Sequence, residues 1–375
     1  MPVNAEEPAA PAVQAAGVPA AVKAAGVPMG SKAPRSFTVV ASGDVLLHEG
    51  VSEQARRDGG GALDYRKIMR SVKPVISGAD LAICHLETPL APPRGPFHGY
   101  PVFSVPPQIV PALADLGYDT CSTASNHTLD QGTAGVGRTL RALDAAGIRH
   151  TGSARSAAEA ARTNLLSVAG VPVAQLSYTY GFNGFRLPAG RPWTANQISV
   201  PRILAEARRA RRAGAKAVIV SLHWGTEYRH APNAMQVKVA RALLASPAVD
   251  LIVGHHAHVV QPIGRASNGE YVAYGMGNLL AGQIGRDKNE GVITRFTFTR
   301  SGRGYKVTKA EFVPTLIEAP GGRVRLYDVL AELRRTDLST ARRTMLGRVA
   351  ARTASIVRSR GVAVPFAGPP ERATP

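Results

Sequence analysis

The chain has 375 residues, 45% hydrophobic and 19% charged, which places it among globular proteins large enough to bury a core without disulfide or metal staples. Its 45 Lys+Arg against 26 Asp+Glu give a net charge of +19, suited to phosphates, anionic polymers or a membrane surface. No run approaches the roughly 18 apolar residues of a membrane-spanning helix, and no Lys/Arg run carries interleaved aromatics, so neither a membrane span nor nucleic-acid binding is expected.

Residues 1–35 are Ala/Pro/Val-rich and echo Ala15-Ala16-Gly17-Val18-Pro19 in Ala24-Ala25-Gly26-Val27-Pro28. They read as a disordered leader or linker, and Glu6, Glu7 and the interrupting Pro and Gly residues speak against a secretory signal. From Ser36 apolar runs of strand length alternate with helical patterns, the signature of an α/β fold. Strands are expected at about 36–42, 80–86, 118–123, 171–178, 216–222 and 249–254. Helices are expected near 64–76, 107–116, 133–146, 200–213 and 233–246, with Gly117, Gly147 and Gly214 where helix ends need a left-handed residue. Beyond residue 258 come consecutive strands, Glu270–Met276, Gly291–Arg300 and Tyr305–Ile317, which imply an antiparallel portion of sheet. Cys84 and Cys121 each lie in an apolar strand and read as buried free thiols.

Residues 319–360 form a C-terminal segment, and 321–375 hold eleven Arg against four acidic residues, so part of the basic surplus belongs to this end. Leu338, Met345, Leu346, Val349, Ile356 and Val357 fall on one helical stripe that Arg342, Arg352 and Thr353 interrupt, which predicts a helix docked on the body. Residues 361–375 read as a Pro-rich disordered tail outside the core.

Five apolar strands end in polar residues able to hold metal: Ser42-Gly43-Asp44, His85-Leu86-Glu87, Ser125-Asn126-His127, Leu222-His223-Trp224 and Gly254-His255-His256-Ala257-His258. Taken singly, most have a plain explanation. Asp44 and Asn126 suit turns, Glu87 suits a solvated loop, and His223 suits a buried core position. His256 and His258 are the strongest signal, because an i, i+2 spacing in extended chain turns both imidazoles to one side. In such sheets ligands gather beyond the carboxyl ends of the strands, so the five ends can converge on one crevice. Their oxygen and imidazole donors suit Zn, Mn or Fe, singly or as a pair, and no Cys-x-x-Cys pair points to a structural zinc. Arg186 and Arg229 lie near these blocks and read as solvated surface residues.

The blocks Gly43-Asp44-Val45-Leu46-Leu47, Leu86-Glu87-Thr88-Pro89-Leu90, Ser125-Asn126-His127-Thr128-Leu129-Asp130-Gln131-Gly132, His223-Trp224-Gly225-Thr226-Glu227-Tyr228, Gly254-His255-His256-Ala257-His258-Val259-Val260-Gln261 and Tyr274-Gly275-Met276-Gly277-Asn278 follow in one order. Over residues 36–318 the chain resembles the CapA family of bacterial capsule and poly-gamma-glutamate synthesis proteins. The resemblance implies a metallophosphoesterase-like four-layer sandwich, two mixed β-sheets flanked by α-helices, with one or two divalent ions. It implies Asp44, Glu87, Asn126, His223, His256 and His258 as metal ligands, with Glu87 bridging, His127 as proton donor to the leaving group and Asp130 orienting it. Two departures stand out. Asp44-Val45-Leu46 lacks the histidine that usually follows at the second position, unless His48 reaches the metal, and His85 stands where the family more often has Asn.

The implied activity is metal-dependent hydrolysis or transfer on an anionic envelope polymer or a phosphorylated precursor, with other capsule synthesis proteins as partners. The alternative is an accessory, polymer-binding subunit without turnover. The resemblance further implies a place at the cell envelope, whereas the chain as written carries neither anchor nor leader.

Overall fold

A computed structural model describes residues 33–319 and 322–369. In chain order the strands are β1 (Ser36–Leu46), β2 (Leu81–Leu86), β3 (Thr120–Ser122), β4 (Arg149–Thr151), β5 (Asn164–Val168), β6 (Val171–Thr179), β7 (Ala217–His223), β8 (Leu251–His255), β9 (Ile263–Arg265), β10 (Tyr271–Ala273), β11 (Asn278–Ala281), β12 (Glu290–Ser301), β13 (Gly304–Glu318) and β14 (Arg325–Asp328). They form two sheets, β14-β13-β12-β1-β2-β3-β4 with β11 added beside β1, and β5-β6-β7-β8-β10-β9.

Both sheets are mixed. In the first, β1 runs parallel to β2 and β11, β2 to β3 and β3 to β4, while β12, β13 and β14 are antiparallel neighbours. In the second, β6, β7, β8 and β10 are parallel, with antiparallel β5 and β9 at the edges. The expected antiparallel stretch after residue 258 is therefore divided: β12 and β13 fit it, joined by the unexpected β14, but β10 joins the other sheet parallel to β8.

Alternation along the strands builds the layers. On β1, Phe37, Val39 and Ala41 turn inward to meet Val173, Ile219, Leu251 and Val253 of the second sheet, whereas Val40 faces outward. Outward-facing Val40, Ala82, Cys84 and Cys121 pack under the helices Glu49–Asp58, Ile109–Leu116 and Gly132–Ala145. Ala174, Leu176, Val218 and Val220 pack under the helices Val200–Arg212 and Ala234–Leu244. The result is the helix–sheet–sheet–helix sandwich that the family resemblance implied.

Gly117, Gly147 and Gly214 take φ of 93, 72 and 102°, the left-handed region a helix end requires. The single helix expected at 64–76 is instead three short turns, Arg66–Met69, Arg70–Val72 and Lys73–Ser77. Pro74 lacks the N–H that a continuous helix would use. Cys84 and Cys121 are in-register neighbours on β2 and β3 and form a disulfide, which corrects the expectation of free thiols.

Helix Thr340–Val357 buries Leu346, Val349, Ala350, Thr353, Ala354 and Val357. The residues that interrupt its stripe find partners: Arg342 pairs with Glu318, Arg352 with Glu290, and Thr353 donates to the Val349 carbonyl at 2.9 Å. The chain continues onto the body, where Val364 and Ala367 are buried and the Phe366 ring lies 5.0 Å from Phe312. The expectation that the tail adds nothing to the core is thus corrected up to residue 369; residues 370–375 and 1–32 lie outside the described residues. Among the described residues no helix is long and apolar enough to cross a membrane.

Candidate metal centre

Two rows of in-register residues meet at the carboxyl ends of the parallel strands. Asn278, Asp44, His85 and Ser122 face one another across β11, β1, β2 and β3, and Thr179, His223 and His255 do so across β6, β7 and β8. The first row depends on a close approach: a Cβ on Gly43 would stand 2.1 Å from the Gly277 carbonyl oxygen, and Asp44 donates its N–H to that oxygen at 2.9 Å. Only glycine at 43 lets β1 switch neighbours there from β12 to β11.

Imidazoles and carboxylates join the sheets. His255 Nδ1 lies 3.2 Å from Asp44 Oδ1, and the His256 N–H donates to Asp44 Oδ2 at 3.1 Å. His258 Nδ1 is 3.2 Å from the same oxygen and 3.0 Å from Asn278 Oδ1, while its Nε2 is 3.7 Å from Glu87 Oε1. His223 Nε2 sits 2.7 Å from Asn126 Oδ1 and 3.8 Å from Glu87 Oε1, and its Nδ1 is 2.9 Å from His85 Nε2. The rings of His223 and His256 are 4.6 Å apart. All six residues named as ligands therefore come together, and Asp44, His85, Glu87 and His223 each offer a donor atom within 4.8 Å of the others'.

His127 and Asp130 stand beside this cluster in the turn after β3. His127 Nδ1 is 2.7 Å from Asp130 Oδ2, which also accepts the Phe103 N–H at 2.7 Å, and the Phe103 ring meets the imidazole edge-on at 4.7 Å. The turn is shaped by Ser125, whose hydroxyl bonds the Glu87 carbonyl at 2.6 Å and accepts the His127 N–H at 3.0 Å. Arg186 and Arg229 are exposed.

Several features were not legible in the sequence. His85 sits inside the cluster, its Nδ1 2.8 Å from Ser122 Oγ and its Nε2 on His223, so it orients a neighbouring imidazole. His255, Asn278 and Asn183 also belong; Asn183 accepts from the Asn126 amide at 3.1 Å. The presence of His255 and Asn278 in the quoted blocks was the available signal, whereas Asn183 lies in none of them. The extended-chain argument for His256 and His258 is corrected: β8 ends at His255, and both residues take left-handed φ, 87 and 54°. Such backbone in non-glycine residues is held at a cost by its surroundings. His48 belongs to neither group of convergent donors among the described residues, and its Nδ1 lies 3.1 Å from the Leu46 carbonyl oxygen and 3.2 Å from the Gly282 nitrogen.

The donors suit a cation. Both oxygens of Glu87 are buried without a hydrogen-bond partner, as are His255 Nε2 and His256 Nδ1. Unpaired buried polar atoms are costly, and a cation among them removes that cost. Burial, followed by neighbouring imidazoles, holds His85 and His223 well below the usual histidine range and pulls His256 down to about 3, leaving ring lone pairs free. Burial pushes Glu87 well up; His258 is raised to about 9 because Glu87 and Asp44 outweigh its burial. Burial alone would raise Asp44, but bonds from His255 and His258 bring it well below the carboxylate range.

The fold and this cluster define an α/β protein of two mixed sheets with a divalent-metal-competent centre where their carboxyl ends meet. A family model described as bacterial capsule synthesis protein PGA_cap matches residues 38–283, and the chain belongs to that family. It is 26% identical over 274 residues to a PGA biosynthesis protein CapA of Bacillus subtilis, covering 71% of this chain and 69% of that protein. It is 27% identical over 293 residues to a Mycobacterium tuberculosis protein described as a probable polyglutamine synthesis accessory protein, covering 66% of this chain and 75% of the relative. Among solved structures it is similar to a calcineurin-like phosphoesterase from Bacillus subtilis, with TM-score 0.47 and 13% identity over 86% of this chain and 99% of the other.

Proposed function

We propose that the chain is a metal-dependent hydrolase or transferase that acts on an anionic envelope polymer, such as poly-gamma-glutamate, or on its phosphorylated precursor. The observation that carries this reading is the buried convergence of Asp44, Glu87, Asn126, His223, His256 and His258 beside the His127–Asp130 pair. These six residues would hold one or two divalent ions of Zn, Mn or Fe. A divalent ion bound there supplies Lewis acidity, making water more acidic and drawing charge from a phosphoryl or carbonyl oxygen.

The chain's own residues do the rest. Asp130, fixed by the Phe103 N–H, accepts from His127 Nδ1 and so leaves Nε2 as the nitrogen that delivers a proton to the leaving atom. His85 holds His223 by its Nδ1, aiming Nε2 at Asn126 and Glu87. The test is metal analysis of purified protein joined to turnover of aryl phosphates, phosphodiesters and gamma-glutamyl amides. A protein that carries metal yet turns over none of these sinks the enzymatic reading.

A second reading, a non-catalytic accessory that binds polymer alongside other capsule synthesis proteins, is favoured by the description of the Mycobacterium tuberculosis relative as an accessory protein. Polymer binding that survives His127→Ala, with no turnover in the parent, selects this reading.

A further inference from the structure

We propose that Glu227 is a direct ligand of the divalent centre, the carboxylate that completes its solvent-facing side. The inference rests on the reading of the cluster as a metal centre and adds a residue outside the six proposed above. Glu227, His256 and His258 each offer one donor atom, and the three atoms lie within 4.8 Å of one another. This group adjoins the inner one, because His258 Nε2 is 3.7 Å from Glu87 Oε1. His256 and His258 are buried, whereas Glu227 is half-buried.

Independent support comes from His256, only 4% exposed, whose Nδ1 is buried without any hydrogen-bond partner. An imidazole packed against two others and left unsatisfied is costly unless something accepts its lone pair. Two imidazoles and one carboxylate form a donor set that zinc, manganese and ferrous iron accept.

Glu227 does not reach this position on a loose loop. The Trp224 N–H donates to the His255 carbonyl at 3.3 Å and the Tyr228 N–H to the Ala257 carbonyl at 2.8 Å, so the segment bearing Glu227 is pinned to the one bearing His256 and His258. His230 Nδ1 at 2.8 Å from the Val260 carbonyl and Asn233 Nδ2 at 3.0 Å from Thr226 Oγ1 fix its flanks. Past the last paired residues of β7 and β8, His223 and His255, these two main-chain bonds keep the carboxylate beside the two imidazoles. This supplies a donor in a centre whose convergent groups, among the described residues, do not include His48.

The experiment titrates metal-stripped full-length protein with Mn²⁺ and with Zn²⁺ by calorimetry, measures bound metal after dialysis, and records the rise in melting temperature on metal addition. Glu227→Gln keeps the shape and removes the charge. It is expected to weaken at least one binding step by about 10-fold or more, with a matching loss of metal-induced stabilisation. Glu227→Asp, which keeps the charge with shorter reach, is expected to recover part of it. A Glu227→Gln isotherm that overlays the parent's, while His256→Ala loses metal, overturns the Glu227 assignment alone. A folded parent that takes up neither ion overturns the metal centre and this assignment together. If circular dichroism shows Glu227→Gln unfolded, Glu227→Ala decides: parent-like affinity for both ions overturns the assignment.

Discussion

At the scale of residues, His127 and His256 are both buried imidazoles in one cluster, yet their surroundings give them different work. His127 is tied through Nδ1 to Asp130, and His256 has a buried Nδ1 with no partner. The proposed roles make their alanine variants diverge. His256→Ala should lower metal content and, because metal bound only by the native state adds to stability, the melting temperature. His127→Ala should keep metal and melting intact while slowing turnover by about 10² to 10⁴. The slowing should shrink for substrates with good leaving groups, which hardly need the proton. Metal loss in His127→Ala would instead make that residue a ligand.

At the scale of elements, the C-terminal helix and the strand-like segment after it close one edge of the inter-sheet core. Ala354, Val357 and Val364 belong to the same apolar cluster as Phe296, Phe298 and Phe312, and Ala367 donates its N–H to the Phe312 carbonyl at 2.8 Å. A chain ended at residue 360 would uncover this patch. Burying one aliphatic side chain is worth about 1.5–3 kcal/mol, and in a protein of this size each kcal/mol moves the melting temperature by about 1–2 °C. The shortened chain should melt several degrees below one ended at 369, as read by calorimetry. Equal melting of the two would show that this segment contributes no stability.

At the scale of the whole molecule, the buried histidines couple folding to pH in the metal-free protein. His85, His223 and His256 are held neutral by burial and by neighbouring imidazoles, but each takes a proton near pH 6.5 once unfolded. Below that pH the unfolded state binds more protons, so stability falls as pH drops, by about 1.4 kcal/mol per unit for each such imidazole. The buried His258–Glu87 pair acts in the opposite sense. With His258 raised to about 9, the native state keeps a proton that the unfolded chain releases, and stability falls as pH rises from about 6.5 towards 9. Denaturant midpoints of metal-free protein should therefore peak near neutrality, and a divalent ion should remove the alkaline decline by replacing that proton. A midpoint that is flat from pH 5 to 9 would contradict this account.

The alternation of apolar strands and helices, the strand ends that carry Asp44, Glu87, Asn126, His127, His223, His256 and His258, and the order of these blocks were all legible in the sequence. Local pattern determines them, because periodicity reports which face an element buries and turn residues report where it stops. Tertiary structure alone decided the partners. Short pieces such as β4, β9 and β11 are three or four residues long and carry no periodic signal, so neither β11 nor the Asn278 it brings to Asp44 was foreseen. The pairing of Cys84 with Cys121 depends on register between β2 and β3, and the grip of His85 on His223 on how the two sheets pack against each other. A one-residue slip of a strand would turn Cys84, Cys121, His85 or His223 to the opposite face, and register is set by the packing of both sheets together.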